Sequence, residues 1–324
     1  MAKKIFFFQI FVVLILILVS LCTTPLIIKY FPSDSDRLCN INHWSADSTI
    51  RKDYVFFGAS GAMNGIAGDT ISALYNVNVV SFTSVNQTLS EAFLFYSRIG
   101  KGTKAVIQCI RYYDLASSPS IDPYKINRLT VDGYKIDSET SAFIDNTTRL
   151  AFNKSYLEAC FGVRGFAKTS LHKLFKELIE PGRQRKESIS DIRNAYLYNY
   201  ERAPENAYNK YLQVMSQKQI ETMPLHQEKV EMINLATEYF RTRGIEYYIV
   251  LLPVSIYTAK YLPLDYVEAL KNSNLSCKII DCSFLLDDNC FADPHHPNRK
   301  GASILSRYIM DAIIYDFSDR FLTQ

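Results

Sequence analysis

The stretch Asp53-Tyr54-Val55-Phe56-Phe57-Gly58-Ala59-Ser60-Gly61 decides the fold. Its apolar run has the length of a strand and stops at a glycine, the pattern of a strand buried on both faces. Working outward, residues 62–75 can form a helix and 77–82 a second strand. Residues 89–99 have helical spacing, with Leu89, Phe93, Tyr96 and Ile99 apolar, and 105–110 read as a third strand. Strand and helix alternating at this rhythm predict a parallel sheet with helices on its faces. The rhythm returns late in the chain. Residues 226–243 read as an amphipathic helix stopped by Gly244, 245–253 as a strongly apolar strand, and 277–281 as a shorter one. Asn298 can cap a final helix carrying Ile304, Leu305, Tyr308, Ile309 and Ile313. Between about 116 and 220 the rhythm is lost, and that polar, tyrosine-rich, helix-leaning region predicts an insertion over the active edge of the sheet.

The N-terminus is of a different kind. The 24 residues from Ile5 to Ile28 carry no charge. At 1.5 Å per residue they span about 36 Å, enough for a bilayer core of about 30 Å. Lys3 and Lys4 precede them, favouring a cytoplasmic N-terminus and an exported body. A cleaved signal peptide has a shorter apolar region ending in small residues, and Leu21-Cys22-Thr23-Thr24-Pro25 makes a poor cleavage site. An uncleaved single-pass transmembrane helix is therefore expected. The chain divides into a tail and anchor over 1–29, a polar stalk broken by Pro32 over 30–52, and one domain over 53–324.

The 324 residues are 48% hydrophobic and 21% charged, a globular composition, and the net charge of +3 with scattered basic residues argues against nucleic acid. The one basic run, Arg183-Gln184-Arg185-Lys186, reads as a solvated loop. The seven cysteines show no metal-ligand spacing; Cys109 reads as a buried hydrophobe, and a disulfide among Cys277, Cys282 and Cys290 is open if the domain is exported. Four glycosylation sequons begin at Asn86, Asn146, Asn153 and Asn274.

Two pieces carry chemistry. Gly58-Ala59-Ser60-Gly61 lies between the first strand and a helix, where a serine hydroxyl enters the crevice at the carboxyl end of a sheet and following N–H groups can stabilise an oxyanion. Small residues after a strand are also ordinary turn choices. Asp293-Pro294-His295-His296-Pro297-Asn298 lies just before the last helix. A serine needs a base to take its proton, and the imidazole needs a carboxylate to fix its tautomer. Asp and His three residues apart on a proline-bounded turn can supply both. The same pair with Asp281, Asp287 and Asp288 leaves a metal site open.

Together these pieces resemble the SGNH/GDSL hydrolase superfamily. Gly58-Ala59-Ser60 is similar to its Gly-Asp-Ser block, and Asp293-x-x-His296-Pro297-Asn298 with Gly301 to its C-terminal Asp-x-x-His block. The resemblance covers about 53–115 and 225–320. It implies a flavodoxin-like three-layer α/β/α sandwich, Ser60 as nucleophile, His296 as base, Asp293 as its orienting carboxylate, and no cofactor or metal. His295 is the second candidate for the base. The departures are definite. Ala59 replaces the family's Asp, residues 81–88 hold no glycine, and Tyr113 stands where the third block has an Asn. The oxyanion donors are then expected from Gly61, Asn86 and Tyr113, with Arg111 as a substitute; one lost donor typically costs about 10²–10³ in turnover.

An anchor with an SGNH domain outside is similar to a subset of the family, the surface-glycan acyl-transfer proteins, including the D-alanyl transfer protein of teichoic acid synthesis. That likeness implies a cell-surface polysaccharide as substrate, a multi-spanning membrane acyltransferase as partner, and a bacterial, extracytoplasmic setting. The expectation is serine-dependent acyl-ester hydrolysis or transfer, for example of O-acetyl groups. The competing expectations are a non-catalytic glycan-binding or scaffold module and, third, a metal-dependent hydrolase.

Overall fold

The computed structural model describes residues 5–15, 17–19, 36–111, 114–115, 121–144, 148–153, 191–196, 201–216, 225–260 and 266–315. Helix α1 (Asp36–Ala46) leads to β1 (Tyr54–Gly58), α2 (Ser60–Gly65), α3 (Gly68–Tyr75), β2 (Val79–Thr83), α4 (Leu89–Phe93) and β3 (Ala105–Ile110). The insertion contributes α5 (Pro123–Val131) and α6 (Glu205–Ser216). Then follow α7 (Gln227–Arg241), β4 (Glu246–Leu251), α8 (Ile256–Ala259), α9 (Tyr266–Lys271) and β5 (Lys278–Asp281). A short hairpin, β6 (Phe291–Asp293) and β7 (His296–Pro297), precedes α10 (Arg299–Tyr315).

Strands β1 to β5 form one parallel sheet in the order β2-β1-β3-β4-β5. This is a flavodoxin-like strand order, whose ligand crevice opens at the carboxyl ends of the strands where the order reverses, between β1 and β3. Strand side chains alternate between two cores. Val55, Phe57, Val106, Ile110, Ile249 and Leu251 face one, and Tyr54, Phe56, Ile107, Cys109, Val250 and Ile280 the other. Helices α4, α5 and α7 supply apolar residues to the first, and α2, α3 and α10 to the second. Burial on both faces is why these strands read as continuous apolar runs.

Several boundaries differ from expectation. The helix read over 62–75 is two helices, α2 and α3, because Ile66 is extended and Ala67 forms a β-bridge to Asn194. The segment read as a stalk holds α1, whose Leu38 and Ile41 are fully buried in the first core. Its Arg37 is 1% exposed and donates to the carbonyls of Thr83 (2.6 Å), Ser81 (2.6 Å) and Asp191 (2.9 Å). Three carbonyl acceptors make burial of that guanidinium tolerable. Desolvation still pulls it down to about 9, against the Asp191 carboxylate that pushes it up. Residues from 36 onward thus belong to the domain.

The insertion is more than a cover. Ile126, Leu129, Tyr134, Phe143, Ile144 and Phe152 lie in the same core as Phe57, so its first part builds a layer of the domain. Its last described part, α6, reaches the carboxyl edge of the sheet. No disulfide forms among the three neighbouring cysteines: Cys277, Cys282 and Cys290 are free, and each lies in a different apolar cluster. Cys22, Cys160 and the run Arg183–Lys186 lie outside the described residues. Residues 5–15 and 17–19 are helical, with Phe6, Phe7, Phe8 and Phe11 exposed. Among the described residues no helix is long and apolar enough to cross a membrane, and positions 20–28 of the expected span lie outside them.

Candidate active site

The site begins at the end of β1. Gly58 has φ +150°, and a Cβ there would stand 2.7 Å from Ala62 Cβ and 2.8 Å from the Cys109 carbonyl. Only glycine fits this turn, which ends the strand and starts α2 at Ser60. The backbone N–H groups of Ala62 and Met63 both bond the Ala59 carbonyl. Those of Ser60 and Gly61 come before any intrahelical partner and point out of the first turn. Above Gly61 lies the other half of the site, since a Cβ on Gly61 would be 3.9 Å from the His295 carbonyl.

That half is the hairpin. Asp293 and His296 face each other across it, and the turn is closed by Asp293 Oδ1, which accepts the N–H groups of His295 (2.8 Å) and His296 (3.0 Å). His296 Nδ1 lies 2.9 Å from both carboxylate oxygens, and its Nε2 lies 2.9 Å from Ser60 Oγ. Ser60, Asp293 and His296 are 6%, 2% and 3% exposed. Burial pushes the Asp293 carboxyl up, but the charge and hydrogen bond of His296 and the His295 N–H together hold it below the usual carboxylate range. The three residues form one hydrogen-bonded chain, joining positions 236 residues apart.

The support is also long-range. Asn298 Oδ1 accepts Gly301 N–H (3.0 Å) and caps α10 as expected, while its Nδ2 donates to the Glu201 and Asn289 carbonyls. Gly301 packs so closely on the Cys290 carbonyl that a Cβ would lie 2.2 Å from it. Thr258 Oγ1, on α8, donates to the Pro294 carbonyl (2.8 Å) and steadies the turn. Half-buried Tyr211, on α6, sets its ring 6.0 Å from His296 and 5.9 Å from His295 in edge contacts. His295 itself gives its backbone to Asp293 and its ring to Tyr211, and the ring on Ser60 is that of His296.

The turn after β2 adjoins the end of β1. Ser84 N–H donates to the Gly58 carbonyl (3.1 Å), Gln87 Oε1 accepts Gly58 N–H (2.7 Å), and Gln87 Nε2 donates to the Phe82 carbonyl (2.9 Å). Between them Asn86 is exposed with φ +50°, a left-handed conformation. On the far side, Arg111 follows β3 and its guanidinium pairs with Asp114 at 3.2 Å. Tyr113 lies outside the described residues. Of the acidic groups weighed as metal ligands, Asp288 pairs with Arg202 (3.0 Å) and Asp281 accepts the Ser283 N–H. Among the described residues no three His, Cys, Asp or Glu side chains converge on a point.

Sequence reasoning missed Gln87, Tyr211 and Thr258, all held by partners distant in the chain. Only the turn's far end carried a sequence signal, Thr88-x-x-Glu91, which forms a capping box on α4. No family model matches this chain, and no curated protein matches it.

Proposed function

We propose that this chain is a membrane-anchored, SGNH-like serine enzyme that hydrolyses or transfers acyl esters on a cell-surface glycan. The observation that carries the proposal is the buried chain from Ser60 through His296 to Asp293 at the carboxyl edge of a parallel sheet. His296 Nε2 takes the hydroxyl proton as Ser60 Oγ bonds to the ester carbonyl carbon. Asp293 holds Nδ1–H and stabilises the imidazolium that forms. The N–H groups of Ser60 and Gly61, with the Asn86 turn that is tied to Gly58, are the assigned donors to the developing oxyanion. Collapse of the tetrahedral adduct breaks the ester bond, and the leaving alkoxide takes the proton from His296. Water or a glycan hydroxyl then attacks the acyl-Ser60, gives its proton to His296, and Ser60 recovers it on release.

The apolar segment 5–28 supports an anchor with the domain outside the cytoplasm, beside a multi-spanning acyltransferase. Tyr211 beside His296, and the half-buried Tyr257 that packs on Tyr208 of the same helix α6, suit the face of a sugar ring. The test is labelling by a fluorophosphonate probe and turnover of p-nitrophenyl acetate by the full-length chain in detergent. Both should disappear in Ser60→Ala while its melting temperature is kept. Labelling that survives the substitution would overturn the proposal.

A second reading, a non-catalytic glycan-binding or scaffold module, draws on one observation: the first N–H after β2, that of Ser84, is already taken by Gly58. It predicts a wild-type protein inert to the probe that still binds glycan.

A further inference from the structure

We infer that Lys125, on the insertion helix α5, is a positioning residue that holds the Val85–Asn86 turn in the form that donates to the oxyanion at Ser60. This rests on the acyl-transfer reading above. Lys125 and Glu91 form an ion pair at 2.7 Å, with side chains only 8% and 1% exposed. The same ammonium donates to the Asn86 carbonyl (2.6 Å) and the Val85 carbonyl (3.3 Å), so all three of its donors are used. Glu91 is tied in turn to Thr88, its Oε2 accepting the Thr88 N–H at 3.2 Å while Thr88 Oγ1 accepts the Glu91 N–H at 3.2 Å.

The turn therefore has three fixed points. Ser84 and Gln87 bind it to Gly58, two residues before the nucleophile, and Lys125 binds its middle from the opposite side. With its carbonyl drawn to Lys125, Asn86 stays in a left-handed conformation that non-glycine residues rarely hold, and asparagine is among the few that tolerate it. Asn76 and Asn274 hold the same conformation elsewhere, so what distinguishes Asn86 is that its turn is tied both to Gly58 and to a buried ammonium. A buried ion pair is poor evidence for stability, because desolvation offsets its attraction. Glu91 shows that cost: burial pushes its carboxyl above the usual range despite Lys125, and its Oε1 is buried without a partner. A buried ion pair that adds little stability and ties this turn down two residues from Ser60 is a device for geometry.

The experiment compares wild type, Lys125→Met and the neutral double variant Lys125→Met/Glu91→Gln as full-length chains in detergent. It measures kcat and KM for p-nitrophenyl acetate, inhibition by a phenylboronic acid that forms a tetrahedral serine adduct, and melting temperature. The double variant buries no lone charge, so it decides the matter where the single variant is unstable. The expected result is a kcat lower by about 10- to 100-fold, with boronate affinity weakened in step and KM unchanged. A folded double variant with wild-type kcat, or one with raised KM and unchanged kcat, overturns the inference and leaves the acyl-transfer reading intact. A wild type that neither labels nor turns over overturns both.

Discussion

Replacing Asp293 with Asn tests the site at its most specific point. Oδ1 of Asp293 already accepts two backbone N–H groups, those of His295 and His296. In the amide the remaining oxygen must stay there, because the alternative orientation sets an NH2 against two N–H donors. The NH2 then takes the place of Oδ2, 2.9 Å from His296 Nδ1. Nδ1 lies as close to the retained oxygen, but that oxygen already accepts two N–H groups, so Nδ1 pairs with the NH2 as an acceptor and the ring proton moves to Nε2. His296 can then only donate to Ser60 Oγ and cannot take its proton. A wrong tautomer at this position costs about 10⁴ in kcat, or about 5.4 kcal/mol of transition-state stabilisation. The hairpin keeps both backbone bonds, so the melting temperature should stay within a few degrees of wild type. The assay is single-turnover release of p-nitrophenol by wild type and Asp293→Asn at pH 7.5, with melting curves alongside. A variant within tenfold of wild-type kcat would refute the tautomer argument.

Two further outcomes concern stability. Burial pulls the Lys229 ammonium down to about 8, against the Asp114 carboxylate that pushes it up. Between that value and the unfolded lysine near 10.4, the unfolded state binds more protons, so stability rises with pH by ~3 kcal/mol. Buried thiols such as Cys109 and Cys277, pushed up by burial, lower the stability of both chains over this range, so the readout is the difference. From pH 7.5 to 10 the urea stability of wild type should gain ~2 kcal/mol relative to Lys229→Met, and identical pH slopes would count against it. Gly301→Ala places a Cβ 2.2 Å from the Cys290 carbonyl and should destabilise by ~1–3 kcal/mol, read as a lower urea midpoint. An unchanged midpoint would mean α10 can slide on the hairpin.

The parts of this molecule legible in the sequence are those whose causes are local. Residues 54–58 announce a buried strand because sheet burial on both sides demands an unbroken apolar run, and the glycine that ends it is required by its own dihedral. Asp293 and His296 could be paired because four residues of one turn hold them both. The helix α1 was hidden because its composition is polar. Arg37 looks solvent-bound in sequence, and the carbonyls of Ser81, Thr83 and Asp191, all more than forty residues on, give it a reason to be buried. Lys125 and Glu91 were hidden in the same way, 34 residues apart with no pattern linking them. The cysteine cluster misled for the opposite reason. Closeness in sequence says little once a strand sends neighbouring residues to opposite faces, as it does for Cys277 and Cys282.

Helix α1 also sets a leash. Its first residue, Asp36, is locked to the domain through Arg37, and the proposed membrane span ends at Ile28. Residues 29–35 alone connect them, and seven residues reach at most about 25 Å when fully extended. Under the proposed anchoring, the Ser60 site would be confined to a shell a few nanometres deep over the lipid headgroups. The proposed glycan substrate would then have to be still attached to, or just emerging from, the membrane, and polymer further out would have to fold back to be modified.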